Sequence, residues 1–395
     1  MYTVCSKRGK PLAVLRVLIQ SSHEQAQHEL NALSTVSAHS LAPRPLSNVT
    51  SLSLDDGFAQ PVPLIVLDYV KSCVPCEEAL SRAREPADAV DLLESAGSLL
   101  GMLHSRCAAG DSMRLVYEGG GCCDLWKHVN GEGLNELPCD SFYSSRVPEL
   151  RRAIGPNAPL PRGFCHGDAF LDNILANTES NTAEKLVDWE DAARGTPLLF
   201  DVACISASAA FAPLSLSLTN EQTEQTEAVK RVEAVLRGYT KHRKLQGKEI
   251  HLMLPAMRAA LLCNYHFRAL CVSQESANEL KDRIEMLERV SFCKAIERAV
   301  SAATSPGSAG RKQRASKRVR KSQPESRFEL SGKGRIGRTT SIFRKAARWL
   351  RRNVRAVAVQ AAFVAAAVGI VWSSTSQQDQ QQRNRPVHTS AQQSS

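Results

Sequence analysis

Aromatic residues make up only 5% of this 395-residue chain, and two of its four tryptophans, Trp349 and Trp372, lie close to the C-terminus. That scarcity leaves little material for an aromatic cage around a quaternary ammonium group. A Gly-rich loop between a strand and a helix, the usual backbone cradle for a phosphate, is missing from the first segments of the chain. No internal repeat is visible, which excludes a solenoid or a propeller. The N-terminus carries no basic residue and apolar run of the signal-peptide kind, so the expectation is a reducing cytosol with free thiols. The twelve cysteines agree with that expectation. Cys73-Val-Pro-Cys76 is one CxxC with no second pair nearby, and Cys122-Cys123 lacks partners at zinc spacing.

What is present is unevenly distributed. The formal net charge is +10. Residues 311–355 contribute +15 of it through seventeen Lys or Arg against Glu325 and Glu329, and residues 356–395 add +1. The first 310 residues therefore carry −6. The basic pI belongs to the tail, whereas the part large enough to fold is mildly acidic, which argues against a nucleic-acid-binding face and suits a cationic partner. With 43% apolar residues, that part can bury one sizeable core.

The chemistry concentrates in residues 164–191. Phe164-Cys165 is a short apolar lead into His166-Gly167-Asp168, and Asn173 follows five positions later. Ile174-Leu175 starts a strand, Asn177 to Thr182 is a polar turn, and Leu186-Val187 is a return strand ending on Asp188. Such a hairpin brings Asp188 beside Asn173. Moving a phosphoryl group from a nucleotide needs a carboxylate to take the proton of the attacking hydroxyl. It also needs an amide oxygen and a second carboxylate to hold magnesium on the phosphates. Asp168, Asn173 and Asp188 supply those types in that order, at the five-residue step of a kinase catalytic loop. An ordinary hairpin with polar surface residues is the plain alternative.

His166-Gly167-Asp168-x4-Asn173, then Val187-Asp188-Trp189-Glu190-Asp191-Ala192, Gly195-Thr196-Pro197 and Phe200-Asp201-Val202-Ala203 resemble the aminoglycoside phosphotransferase and choline/ethanolamine kinase superfamily, the small-molecule branch of the protein-kinase fold. The resemblance implies an α+β, two-lobed protein-kinase-like fold, with a small β-rich N-lobe over residues 1–70 and a larger helical C-lobe over residues 71–300. It implies ATP and Mg2+ as cofactors, Asp168 as catalytic base, and Asn173 and Asp188 as magnesium ligands. Glu190 would touch a second metal, and His166 and Asp201 would brace the loop.

Upstream segments follow the same order. Leu12 to Ile19 alternates like a central strand, and Arg16 stands where kinases carry the lysine that meets the phosphates; arginine keeps the charge and adds a fork. Ser22 to Val36 has helical periodicity and places Glu29 as the partner of that cation. Asp68-Tyr69-Val70, after the apolar run Pro63 to Leu67, resembles the hinge that holds adenine through its backbone. Leu92 to His104 reads as a long helix whose His104 is structural. The departure lies at the start, where the fifteen residues before Arg16 allow one hairpin with its turn at Lys7-Arg8-Gly9-Lys10 and no phosphate-covering loop. The expectation is a truncated N-lobe that still serves a small-molecule kinase, with a membrane-attached pseudokinase scaffold as the alternative.

Residues 301–340 are low in apolar side chains and read as a disordered basic linker. In residues 341–355, Ile342, Ala346, Trp349, Leu350 and Val354 share one helical face and Arg344, Lys345, Arg348, Arg351, Arg352 and Arg355 the other, a pattern suited to an anionic membrane surface. Ala356 to Trp372 holds no charge and would span about 25 Å as a helix, against roughly 30 Å of hydrocarbon. With the basic cluster on its N-terminal side, it reads as a single C-terminal anchor, the kinase part facing the cytosol and residues 373–395 forming a polar tail, and a helix lying on the membrane or packed on the protein is the plain alternative. Substrate contacts are sought at Asp172, Trp189, Tyr265, His266, Phe267, Trp126 and Tyr143, and the alcohol itself stays open.

Overall fold

The computed structural model describes residues 2–5, 10–18, 22–52, 62–83, 85–107, 141–155, 157–212, 221–271 and 274–304. The Lys7-Arg8-Gly9 turn, Cys122-Cys123, Trp126, the side chain of Phe267 and every tail segment beyond Thr304 lie outside the described residues.

The N-terminal part is a four-stranded antiparallel sheet in the order β1-β2-β4-β3. Strand β1 (Tyr2–Cys5) pairs with β2 (Pro11–Val17), the expected hairpin, and β2 pairs in turn with β4 (Val62–Asp68), whose far edge takes β3 (Thr50–Leu52). An inner strand must bury alternate side chains, and Ala13 and Leu15 do so. Arg16 lies opposite Ile65 in the β2–β4 register. Helix α1 (His23–Ser37) opens with a capping box in which the Ser22 hydroxyl accepts from the Gln25 backbone amide at 3.1 Å and the Gln25 side-chain Oε1 accepts from the Ser22 backbone amide at 2.7 Å. Such a cap is worth about 1 kcal/mol and fixes where Glu29 emerges two turns later.

The larger part is helical: α2 (Cys76–Ser81), α3 (Pro86–Arg106), α4 (Ser141–Ile154), α5 (Leu198–Ala210), α6 (Glu221–Thr240), α7 (Gly247–Cys271), α8 (Gln274–Glu288) and α9 (Val290–Thr304). In α3, Leu92, Leu93, Ala96, Leu99, Leu100 and Leu103 are buried, the face that the leucine spacing predicts. Its opposite number is α6, and the two backbones nearly touch. A Cβ on Gly97 would stand 2.0 Å from the Val235 carbonyl oxygen, and one on Gly238 would stand 1.9 Å from that of Glu94. Only glycine permits this approach, which sets the α3–α6 register and with it the neighbourhood of His104. The whole arrangement is the α+β, two-lobed architecture that the sequence motifs imply.

Two small sheets carry the loops of interest. Strands β5 (Cys73–Pro75), β7 (Ile174–Asn177) and β8 (Thr182–Leu186) form one, and β6 (Arg162–Cys165) with β9 (Ala193–Pro197) forms the other. The return strand ends at Leu186 rather than at Asp188, because Asp188 takes φ +67°, a left-handed turn that no strand accommodates. The pairing nevertheless extends one residue, as the Val187 amide donates to the Asn173 carbonyl at 3.0 Å. At the other end, α9 continues past Ser301 to Thr304, since Val300 and Ala303 are buried in the core. The cysteines of the described residues are free thiols. Burial pushes Cys73 up to about 11 and Cys76 to about 12, so neither half of the CxxC is a reactive thiolate. Among the described residues no helix is long and apolar enough to cross a membrane.

Candidate active site

Strand β6 delivers the chain to His166-Gly167-Asp168, and a 3-10 turn at Leu171–Asn173 then leads into β7. Gly167 has φ +88°, and a Cβ there would lie 2.1 Å from the Asp191 carbonyl oxygen. The loop after β6 and the loop after β8 therefore meet backbone to backbone at this glycine. Asn173 ties the turn shut, since its Nδ2 donates to the Asp168 carbonyl oxygen at 2.9 Å and to Asp168 Oδ2 at 2.7 Å. Because both partners only accept, the nitrogen of the amide is committed inward and Oδ1 is the atom left for a metal ion.

The loop's own histidine has an unambiguous proton. His166 Nε2 faces the Val187 carbonyl at 2.9 Å and must donate, while Nδ1 receives the Asp168 amide at 3.3 Å and must accept. Burial holds His166 below the ordinary histidine range, and the nearby Asp201 carboxylate opposes that shift only in part. His166 is thus a neutral strut between the two loops. Its ring also packs against the buried Trp189, centroid to centroid 4.5 Å, with Phe164 stacked beyond at 6.0 Å.

Arg16 reaches this centre from the sheet. Its Nε pairs with Glu29 at 2.8 Å, and its NH2 pairs with Asp188 at 2.6 Å and Glu190 at 3.0 Å. One guanidinium fork thereby links Glu29 of α1, the pairing that chain order suggests, to Asp188 and Glu190 of the loop after β8, two contacts that the sequence reading did not include. Burial opposes the charge on Arg16, but Glu29, Asp188 and Glu190 outweigh it and hold the guanidinium above its ordinary range. Burial pushes the Glu29 carboxyl up to about 7 against the pull of Arg16. A second tie runs from α1, where His28 Nε2 donates to the Ala192 carbonyl at 2.7 Å.

The acidic groups around Asp168 repel one another. Burial raises the Asp168 carboxyl well above the ordinary aspartate range, and Asp191, Asp172 and Asp188 push it further, with the Asn173 bond in opposition. Burial likewise raises Asp172 and Glu190. A cluster of hard oxygen donors with mutual repulsion and one nearby guanidinium is the donor chemistry that magnesium takes. Asp188 takes a left-handed backbone that costs a non-glycine residue energy.

Behind the loop, Asp201 in the first turn of α5 is fully buried. Its Oδ2 accepts from the His166 amide at 2.7 Å and from His104 Nε2 at 3.0 Å, and its Oδ1 accepts from the Gly167 amide at 2.9 Å. Burial alone would raise this carboxyl, but those donors prevail and it lies below the usual aspartate range. His104 is a structural residue, as its position predicts.

The remaining candidates divide. Asp68, Tyr69 and Val70 close β4, where the Asp68 amide donates to the Arg44 carbonyl at 2.9 Å and its carboxylate pairs with Arg44 at 3.1 Å on the surface. Trp189 is wholly buried and unable to line a pocket. Tyr265 packs on Phe142, and Tyr143 stacks on His266 at 4.6 Å, so these aromatics belong to the core rather than to a cage. Asp172 lies in the 3-10 turn beside the loop. Charges that sequence spacing did not single out surround it: Glu77 of α2 and Arg268 of α7 act on it or on each other, and Arg283 of α8 acts on Glu77. Three separate helices supply these groups, so no local motif announces them.

A model of a phosphotransferase enzyme family matches residues 7–243. Among solved structures, the chain is similar to an amicoumacin kinase in complex with AMP-PNP, Ca2+ and Ami, at 13% identity and a TM-score of 0.54, covering 73% of this chain and 84% of that one. A microcompartment-associated aminopropanol kinase matches at 16% identity and TM-score 0.48, over 73% of this chain and 88% of that one. An aminoglycoside phosphotransferase from Streptomyces rimosus matches at 15% identity and TM-score 0.43, over 64% and 88% of the two chains. Comparison with curated protein sequences found no match. At such identities a structural likeness speaks for the fold alone, and the family match spans the Arg16 strand, the Asp168 loop and Asp201. The chain belongs to the phosphotransferase enzyme family.

Proposed function

We propose that this chain transfers the γ-phosphoryl group of ATP to a hydroxyl of a small molecule, with a divalent metal ion as cofactor. The observation that carries the reading is the closed constellation itself. Asp168 is held by Asn173 at 2.7 Å, and Asp188 is held at 2.6 Å by the arginine that also holds Glu29. Magnesium, when bound, supplies the positive charge that neutralises the triphosphate. Asn173 Oδ1, Asp188 and Glu190 are the groups to hold it. Asp168 accepts the proton of the attacking hydroxyl, with its carboxylate held in place by Asn173 Nδ2. Arg16 holds Glu29 through Nε and Asp188 and Glu190 through NH2, and NH1 is the group it has to offer the phosphates. The backbone of Asp68 to Val70 receives the adenine, and His166 and Asp201 keep the loop in register.

Asp172 beside the base and Glu77 beside Asp172, with Arg268 and Arg283 as partial counter-charges and residues 1–310 net negative, favour an alcohol that also carries an amine. The basic face of residues 341–355 and the uncharged segment Ala356 to Trp372 support tethering to a membrane with the catalytic part on the cytosolic side. The two halves of the proposal are tested separately. Calorimetric titration of the full chain with ATP and magnesium should give binding that weakens at least tenfold in Asp188→Ala, and absence of any ATP binding would turn the reading towards a scaffold. Flotation with vesicles containing anionic lipid should carry the full chain upward and leave a chain ending at residue 310 behind; equal flotation of both would remove the tether.

A further inference from the structure

The Asp201 centre continues outward along a buried chain of hydrogen bonds that the phosphotransfer chemistry does not itself use. His104 Nδ1 lies 2.8 Å from the Tyr239 hydroxyl in α6, and that hydroxyl lies 3.0 Å from Arg243 NH1 in the α6–α7 connection. Arg243 NH2 in turn pairs with Glu249 at 2.9 Å, a fully buried carboxylate in the first turn of α7 that also accepts from the Gln246 amide at 2.9 Å. Tyr239 and His104 are both buried, and their rings meet edge to face with centroids 5.6 Å apart.

The direction of every proton in this chain follows from what each group can do. A guanidinium only donates, so Tyr239 Oη accepts from Arg243. The one hydroxyl proton of Tyr239 is then left for His104 Nδ1, which must accept. That leaves the His104 proton on Nε2, where the Asp201 carboxylate accepts it. A His104 proton on Nδ1 would face the tyrosine hydroxyl, displace its proton towards the Arg243 donor and deprive Asp201 of one of its donors. The close α3–α6 packing at Gly97 and Gly238 places the two rings within reach of each other.

We propose that Tyr239 and Arg243 are positioning residues which, anchored by Glu249, hold His104 in its Nε2–H tautomer and so keep Asp201 aligned on the His166 and Gly167 amides beneath the catalytic loop. The effect on turnover rests on the phosphotransferase reading; the effect on the tautomer and on the amides does not. The network would transmit through four hydrogen bonds, from Arg243 at the α6–α7 corner to Gly167, the residue before Asp168.

Tyr239→Phe removes one hydroxyl and keeps the buried ring, and Val235→Ala, a cavity in the same helix outside the network, serves as the control for lost packing. In Tyr239→Phe, long-range 15N spectra of the imidazoles should show one histidine leaving the pure Nε2–H pattern. Amide exchange at His166 and Gly167 should quicken relative to the rest of the core. With a competent substrate, kcat should fall on the order of tenfold at unchanged KM for ATP. Val235→Ala should lower Tm without any of the three changes. Unaltered imidazole and exchange patterns in Tyr239→Phe, or the same changes in Val235→Ala, would overturn the proposal. Should the wild-type chain transfer no phosphate at all, the reading of function fails, while the two spectroscopic measurements still decide the network.

Discussion

Two aspartates stand on either side of the same short loop and live under opposite conditions. Asp168 sits among Asp172, Asp188 and Asp191, and the nearest compensation is one amide from Asn173. Asp201 is more deeply buried, yet three N–H donors converge on it. The first carboxyl is pushed well above its ordinary range by burial and by its acidic neighbours. In the second, burial is overcome by hydrogen bonds and the carboxyl is depressed. Burial alone therefore does not decide what a carboxylate is for. The balance of donors against neighbours separates a group held ready to take a proton from one that holds a backbone in place.

The widest separation should appear on exchanging each aspartate for its neutral isostere. Asp168→Asn removes the proposed base, and turnover should fall by about 10²- to 10⁴-fold while nucleotide affinity changes little. Retained turnover would erase the distinction. Asp201→Asn offers one acceptor where the carboxylate has two and turns an NH2 group towards a backbone donor. The fold should lose about 3 kcal/mol, a fall in Tm of roughly 6 °C or more by thermal denaturation.

Gly238→Ala attacks the packing that carries the Asp201 side. Its Cβ would meet the Glu94 carbonyl at 1.9 Å, so α3 and α6 must part, at a cost of about 1–3 kcal/mol that melting curves would register. A smaller effect of opposite sign belongs to the Asp168 side. Without metal, Asp168→Asn should raise Tm by roughly 2–4 °C, about 1 kcal/mol of relieved repulsion.

The pH dependence sharpens the same contrast. Asp201 has a depressed pKa, so its stabilisation is present above the unfolded aspartate value and is lost as pH falls through the folded one; Asp201→Asn should flatten the acid limb of a Tm–pH curve. Asp168 has a raised pKa, so its charge destabilises the fold above that value and ceases to do so as pH falls through it. The Tm gain of Asp168→Asn should accordingly be largest at high pH and vanish in acid.

The Asp168 side was legible in the sequence because phosphoryl transfer tolerates few residue types and demands them at short spacing. Asp168, Asn173 and Asp188 fall within one hairpin, and α1, α3 and the central strand declare themselves by periodicity. Its far contacts were partly legible, since Arg16 and Glu29 could be placed by chain order. The Asp201 side was not legible beyond Asp201 and His104. Tyr239 bonds His104 across 135 positions, and neither it, Arg243 nor Glu249 belongs to a local pattern. Among the described residues, the aromatic candidates fall in the core for a related reason: Trp189 follows Asp188 directly, yet the left-handed turn at Asp188 sends the two side chains apart.

The most direct measurement is phosphate transfer from γ-labelled ATP by the full chain, with magnesium, to a panel of amine-bearing alcohols, run beside Asp168→Asn of verified Tm. The account predicts labelled product from the wild type and at least a hundredfold less from the variant, at matched nucleotide binding. Equal product from both proteins would contradict it.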